Sequence, residues 1–404
     1  MNTGFFKAGH LPTLFSAFLY FDLSFMVWVI LGPLGVQIAK ALELNPGERG
    51  LMVATPVLAG ALLRIPMGIL VDHIGPKRTG ALAQLVVIGG LVAAWSFGVH
   101  AFSQILVVGL VLGIAGASFA VALPLASRWY PLEHQGTALG IAGAGNSGSV
   151  LAALFAPSLA GLCGWQNVLG LAVIPLACAF VAYLILAKDS PTRPQPKSLA
   201  NYLKVLRIGD VWWFMFFYSV TFGGFVGLAS SLTIYFHDQY GSTAVVAGYF
   251  TAACVFSGSL VRPVGGAVAD RIGGTRTLSA VYLVAAGALS IVSIGLPQQW
   301  MALLSFLIAM LALGIGNGAV FQLIPQRFCR EIGVMTGIVG MTGGVGGFYL
   351  ASSLGYSKQL TGNYQLGLLI FAGLAVVAFL GLARVKRRWR ETWASVAALG
   401  VARV

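Results

Sequence analysis

The chain has 404 residues, 58% of them hydrophobic and only 9% charged, with a mean hydropathy of +0.88 and a formal net charge of +13. A soluble globular chain carries about 25% charged residues, so this one lacks the polar surface to face water and reads as a polytopic membrane protein. The four cysteines (Cys163, Cys178, Cys254, Cys329) form no CxxC pair, which argues against a disulfide framework or a zinc site. The start, MNTGFFKAGH, runs into an apolar segment with no small-residue cleavage site, so no cleavable signal peptide is expected.

A membrane span needs about 20 apolar residues, and charge, Gly and Pro punctuate the chain into twelve. Span one, 12–38, holds Asp22, the one carboxylate well inside a span, and the aromatics Phe25 and Trp28. Span two, 50–71, holds Arg64; span three covers 79–99, and span four, 103–127, holds Phe119. In span five, 136–161, Gly136, Gly140, Ala144 and Gly148 follow at steps of four, so one helix face carries almost no side chain, and Gly143, Gly145 and Asn146 thicken the segment. Span six, 166–187, leads into the long polar stretch Ala187 to Asp210, read as the linker between two halves. Span seven, 211–236, places Tyr218 and Phe222 at i, i+4, on one face. Span eight, 243–269, holds Arg262; spans nine and ten cover 278–296 and 300–324. Span eleven, 332–355, is rich in glycine at Gly340, Gly343, Gly344, Gly346 and Gly347, and span twelve, 363–383, ends in a basic tail, ARVKRRWRE. The expected organisation is a six-helix bundle over 1–187, a linker over 188–210, a second bundle over 211–383 and a tail over 384–404.

Counting Lys and Arg by side orients the chain. With the N-terminus inside, nineteen fall on the inner side, Lys7, Arg193, Lys197, Arg330 and Arg403 among them; the outer loops hold only Lys40, Arg49 and Lys358. Both termini are therefore expected in the cytoplasm, in a cytoplasmic (inner) membrane. The positive charge needs no nucleic-acid partner, because inner-side bias and attraction to the bilayer account for it.

An internal repeat sets the architecture. ALLRIPMGILVDHIGPKRT ends at Thr79 and GSLVRPVGGAVADRIGGTRT at Thr277, pairing Arg64 with Arg262, Asp72 with Asp270, Gly75 with Gly273 and Arg78 with Arg276, each 198 residues apart. GIAGAGNSGS from Gly140 is echoed by GIVGMTGGVGG from Gly337. Duplicated halves place a substrate site between them near the midplane.

The two arginines carry the chemistry. Each lies about eight residues, roughly 12 Å, from the inner end of its span, where a charge is costly. With Asp22 the single candidate counter-ion, at least one arginine needs an anion, and a planar, forked guanidinium suits a small flat oxyanion. The glycine runs serve close helix packing, with Asn146 either a packing residue or part of the pathway lining. Asp72, Arg78, Asp270 and Arg276 read as an inner-surface charge network that holds one gated state. No nucleophile–base pair, P-loop or metal-ligand cluster is present, so neither an enzyme, a cofactor nor a metal is expected.

The duplicated loop G-x-x-x-D-x-x-G-x-x-R resembles that of the major facilitator superfamily. SFMVW (Ser24 to Trp28), AGALLRIP (Ala59 to Pro66), SLVRPVGG (Ser259 to Gly266) and both glycine segments resemble its nitrate/nitrite porter branch over nearly every span. The resemblance implies an all-α membrane fold of two pseudo-symmetric six-helix bundles. It also implies that Arg64 and Arg262 clamp nitrate or nitrite, that Phe25, Phe119, Tyr218 and Phe222 sandwich the anion, and that Asn146 matches the asparagine of the first glycine signature. Coupling stays open between proton symport, with Asp22 as the titrating group, and nitrate/nitrite exchange. The expectation is a monomeric proton-coupled importer of nitrate, and of nitrite, in a lipid bilayer. A facilitator for another small anion and a non-transporting anion sensor stand as alternatives.

Overall fold

The structure, a computed structural model, describes residues 5–191, 199–328 and 332–397. Cys329, Arg193, Lys197, Arg330 and Arg403 lie outside those residues, as do parts of the expected linker and tail. The described residues form helices and no strand; in lipid, helices satisfy every backbone N–H and C=O within one segment. Twelve are long and apolar enough to cross a membrane: Leu11–Trp28, Pro46–Ile74, Pro76–Phe97, Phe102–Ser127, Thr137–Cys163, Trp165–Leu186, Gly209–Tyr240, Ala244–Ile272, Gly274–Ser293, Gln299–Arg327, Val334–Thr361 and Gln365–Trp389. They are numbered here as spans one to twelve. Because the number is even, both ends of the chain and the join between the halves lie at one end of the molecule, the linker end; the opposite end is the far end.

Several boundaries differ from the hydropathy reading for local reasons. Span one stops at Trp28 and turns before a short helix, Gly35–Ala41; at the turn a Cβ on Gly32 would lie 2.4 Å from the Ser230 carbonyl of span seven. Span two begins earlier, where Asn45 and Glu48 form a reciprocal capping box, and runs through Pro56 and Pro66. The last helix continues to Ala397, so most of the basic tail is helical. Asp210, at the start of span seven, pins it by accepting from Trp389 Nε1 at 2.9 Å and pairing with Arg388, while Arg327 of span ten donates to the same carboxylate at 3.0 Å.

The duplication is geometric as well as sequential. Gly75 and Gly273 end spans two and eight at φ +88° and +97°, a region that only glycine enters freely, and each carbonyl accepts from the Thr hydroxyl four residues on, Thr79 at 2.8 Å and Thr277 at 3.0 Å. The two six-helix bundles meet where span two runs along span eleven and span five along span eight. At the far end they touch backbone to backbone: a Cβ on Gly50 would sit 2.8 Å from Gly355 Cα, and one on Gly248 2.6 Å from the Ala153 carbonyl. Toward the linker end, a Cβ on Gly140, Gly143 or Gly266 would meet nothing within 4 Å. There the short helix Leu199–Val205 of the linker lays Tyr202 against both Gly68 of span two and Gly337 of span eleven, 3.4 Å from a Cβ on either.

Candidate functional site

Two guanidinium groups project between the bundles. Arg64, in the middle of span two, is 1% exposed. Its Nη1 donates to the Gly340 carbonyl of span eleven, while Nε and Nη2 have no partner. Arg262 follows the break of span eight at Val261. Its Nη2 lies 3.5 Å from the Tyr218 hydroxyl, and its buried Nη1 has no partner. No ion pair joins either arginine to a carboxylate among the described residues. A buried charge left uncompensated is strongly destabilising, so three buried guanidinium nitrogens without a partner call for an anion.

Aromatic rings hold both cations in place. The Phe119 ring lies 5.0 Å from the Arg64 guanidinium carbon and 5.9 Å from that of Arg262, so the two arginines share it. Phe222 lies 5.2 Å from Arg64 and stacks on Tyr218 at 5.2 Å and 8°. Phe25 is one ring removed: it packs edge-on against Trp28 at 4.7 Å and Phe21 at 4.5 Å, and Trp28 is the residue of span one that reaches Arg64, at 5.8 Å. Trp28 is fixed by donating to the Pro56 carbonyl at 2.7 Å. Phe321 of span ten completes the wall, 5.5 Å from Arg262 and perpendicular to Tyr218 at 5.0 Å. Sequence reasoning missed Phe321, which carries no repeat partner or motif, and left Trp28 among the unassigned aromatics.

The span-eleven glycines admit these side chains. A Cβ on Gly343 would come within 2.7 Å of the Tyr218 ring and 2.9 Å of Phe222; on Gly344, 2.5 Å from Ala61; on Gly340, 3.3 Å from Arg64 Nη1. In span five the helix tightens to a 3-10 turn over Ala144–Ser147. There Gly145 and Gly148 press on span one at Asp22, with a Cβ on Gly148 falling 1.7 Å from the Asp22 carbonyl. Asn146 is buried in that turn, facing the Gly143 and Ala144 carbonyls at 3.1 and 3.3 Å, and makes no hydrogen bond to either arginine.

Two sequence-derived groupings take a different form. Asp22 accepts from the Ser147 hydroxyl at 2.7 Å rather than from an arginine, because its side chain leaves span one toward span five. Asp72, Arg78, Asp270 and Arg276 do not join into a network among the described residues. Asp72 pairs with Arg128 at 2.7 Å, whereas Arg78, Asp270 and Arg276 are exposed and in no ion pair there. The corresponding role in the second bundle falls to Asp210. Asp72 is near enough to Tyr202 that its charge adds to burial in pushing that phenol up.

Comparison with known proteins places the chain in a family. The profile of the Major Facilitator Superfamily matches residues 14–351. A "Nitrite extrusion protein" of Bacillus subtilis is 32% identical over 360 residues, covering 88% of this chain and 90% of that one. The chain belongs to the major facilitator superfamily, in its nitrate/nitrite porter branch. Other porters in the branch include a "Probable nitrate/nitrite transporter NarK2" of Mycobacterium tuberculosis, 33% identical over 88% of this chain and 91% of its own. A "Probable nitrate/nitrite antiporter NarK1" of Thermus thermophilus is 31% identical over 93% and 91%. The facilitator fold is also seen in the crystal structure of a bacterial homolog of the human lysosomal transporter Spinster, in an inward-facing and occupied conformation. It matches at a TM-score of 0.71 and 18% identity over 93% of this chain and 96% of that one.

Proposed function

We propose that this chain carries nitrate and nitrite across the cytoplasmic membrane by alternating access, as a monomer in the bilayer, importing nitrate together with protons. The observation that carries the substrate reading is the set of unpartnered nitrogens on Arg64 and Arg262 around the shared Phe119 ring. A small trigonal oxyanion offers acceptors to both guanidinium groups, and its flat faces suit the Tyr218–Phe222 stack. Phe25 and Asn146 then act behind the site, through Trp28 and through the span-five turn.

With the linker end cytoplasmic, as the excess of Lys and Arg there directs, the close glycine contacts lie at the outer end and the looser packing around Gly140, Gly143 and Gly266 toward the cytoplasm. Proton coupling rests on Asp22, a buried carboxylate held by a neutral hydroxyl on a turn of span five, the span that packs on span eight of the other bundle. Gain or loss of a proton there would change what holds spans one and five together.

Nitrate/nitrite exchange is the second reading. It is favoured by the lack of an ion pair between Asp22 and either arginine among the described residues, which leaves two fixed positive charges to cross back without an anion, and by the antiporter name of the Thermus relative. Nitrate uptake into nitrite-free proteoliposomes, with an inward proton gradient imposed or collapsed, decides between them. Gradient-dependent uptake supports symport; uptake that needs nitrite inside supports exchange; no nitrate movement in either arm rejects both.

A further inference from the structure

Span ten carries a buried amide that the arginine clamp does not use. Asn317 is 1% exposed, and neither its Nδ2 nor its Oδ1 has a partner. An amide buried in this way costs more than the leucine that could replace it. It sits four residues before Phe321 and so shares the helix face of the ring that packs on Arg262 and Tyr218.

Two more unpartnered groups lie at the same level. The Thr221 hydroxyl, in a fully buried residue, is three positions beyond Tyr218; the Ser259 hydroxyl, in a residue 1% exposed, is three positions before Arg262. The chain directions of spans seven, eight and ten place all three about 4.5–6 Å nearer the far end than the residues that touch Arg262. Spans seven and ten meet at this level, where the missing Cβ of Gly316 would lie 2.6 Å from Thr221 Cγ2.

We propose that Asn317, with Thr221 and Ser259, forms a neutral collar that holds the small oxyanion one helical turn beyond Arg262, as a station for anions entering from the far end. Asn317 is its principal positioning residue. The inference rests on the anion-transport reading above. A neutral collar can bind the anion without deepening the well at the arginines, so release toward the linker end is not slowed.

The test is nitrate uptake by right-side-out vesicles together with the thermal midpoint of the purified, nitrate-free protein. In Asn317→Leu the KM for external nitrate should rise about tenfold with the maximal rate within about twofold, while the midpoint stays or rises, because an unbonded amide has been removed. Asn317→Asp should lose uptake, and Asn317→Ser, which keeps a donor, should fall between wild type and the leucine variant. An unchanged KM in Asn317→Leu, or a lowered midpoint with lost folding, would overturn the collar and make the amide a packing group. Absence of nitrate uptake in the wild type would reject the transport reading as well.

Discussion

Arg49 and Asp238 meet at 3.2 Å across the far end of the molecule, one from the first bundle and one from the second. Tyr364 donates to the same carboxylate at 2.8 Å, and Arg49 Nε is held by the Leu44 carbonyl at 3.0 Å. One residue further on, Gly50 meets Gly355. The pair therefore latches the end that is closed in this conformation. It is partly exposed, and such pairs contribute about 0.2–1 kcal/mol. Asp238→Asn should shift the resting population toward far-end opening by up to about fivefold. A cysteine at Ser230, which abuts Gly32, reports this by faster maleimide labelling in a background without native cysteines; an unchanged labelling rate would mean that backbone packing alone holds the end shut.

Replacing either clamp arginine by lysine keeps the charge but removes the fork. Loss of one or two charge-assisted hydrogen bonds, at about 1.5–3 kcal/mol each, predicts a tenfold to hundredfold or greater weakening of nitrate binding in Arg64→Lys and Arg262→Lys. Calorimetric titration with nitrate checks this alongside the thermal midpoint, which should move little. Near-normal affinity in both variants would remove the clamp.

The first glycine signature should divide into two classes. Gly140→Ala adds a methyl group into open space and should leave transport near wild type. Gly148→Ala drives a methyl group onto the Asp22 carbonyl, and overpacking of that kind costs about 1–3 kcal/mol or more. Expression level and thermal midpoint should fall for Gly148→Ala only. Equal tolerance at both positions would show that spans one and five slide apart more easily than their contact suggests.

Asp22→Asn keeps the size and the hydrogen bond from Ser147 but removes the titratable group. If protons drive import, uptake in this variant should lose its response to an imposed pH gradient while nitrate/nitrite exchange continues. Retained gradient response would move the proton site elsewhere.

Much of the scaffold was legible from hydropathy and repetition. Twelve spans follow from apolar length, and Arg64 and Arg262 stand out because a charge in lipid is expensive and the pair repeats. Contacts between distant segments were not legible. Arg49 and Asp238 are 189 residues apart in sequence and sit at span ends where charges are ordinary. The inner-surface charges were misgrouped because the repeat suggested partners within the motif, whereas Asp72 takes Arg128 from span four, and Asp210 takes Arg327 and the final helix. Asp22 was placed near the arginines by depth alone; which side of span one it leaves is fixed by the 3-10 turn of span five, a feature that hydropathy does not encode.

The join between the bundles has no twin. At the far end the repeat-related Gly50 and Gly248 each press on the other bundle, against Gly355 and Ala153, in a molecule built from one unit used twice. At the other mouth Tyr202, from a segment present once, stands between Gly68 and Gly337. Spans two and eleven cannot meet there as they do at Gly50 and Gly355 until that phenol withdraws. Under the proposed alternating access the two half-cycles would therefore be unequal in kind: one is a seam zipping shut, the other must first clear a wedge. The linker left between the duplicated halves would thus give the proposed cycle a preferred resting side.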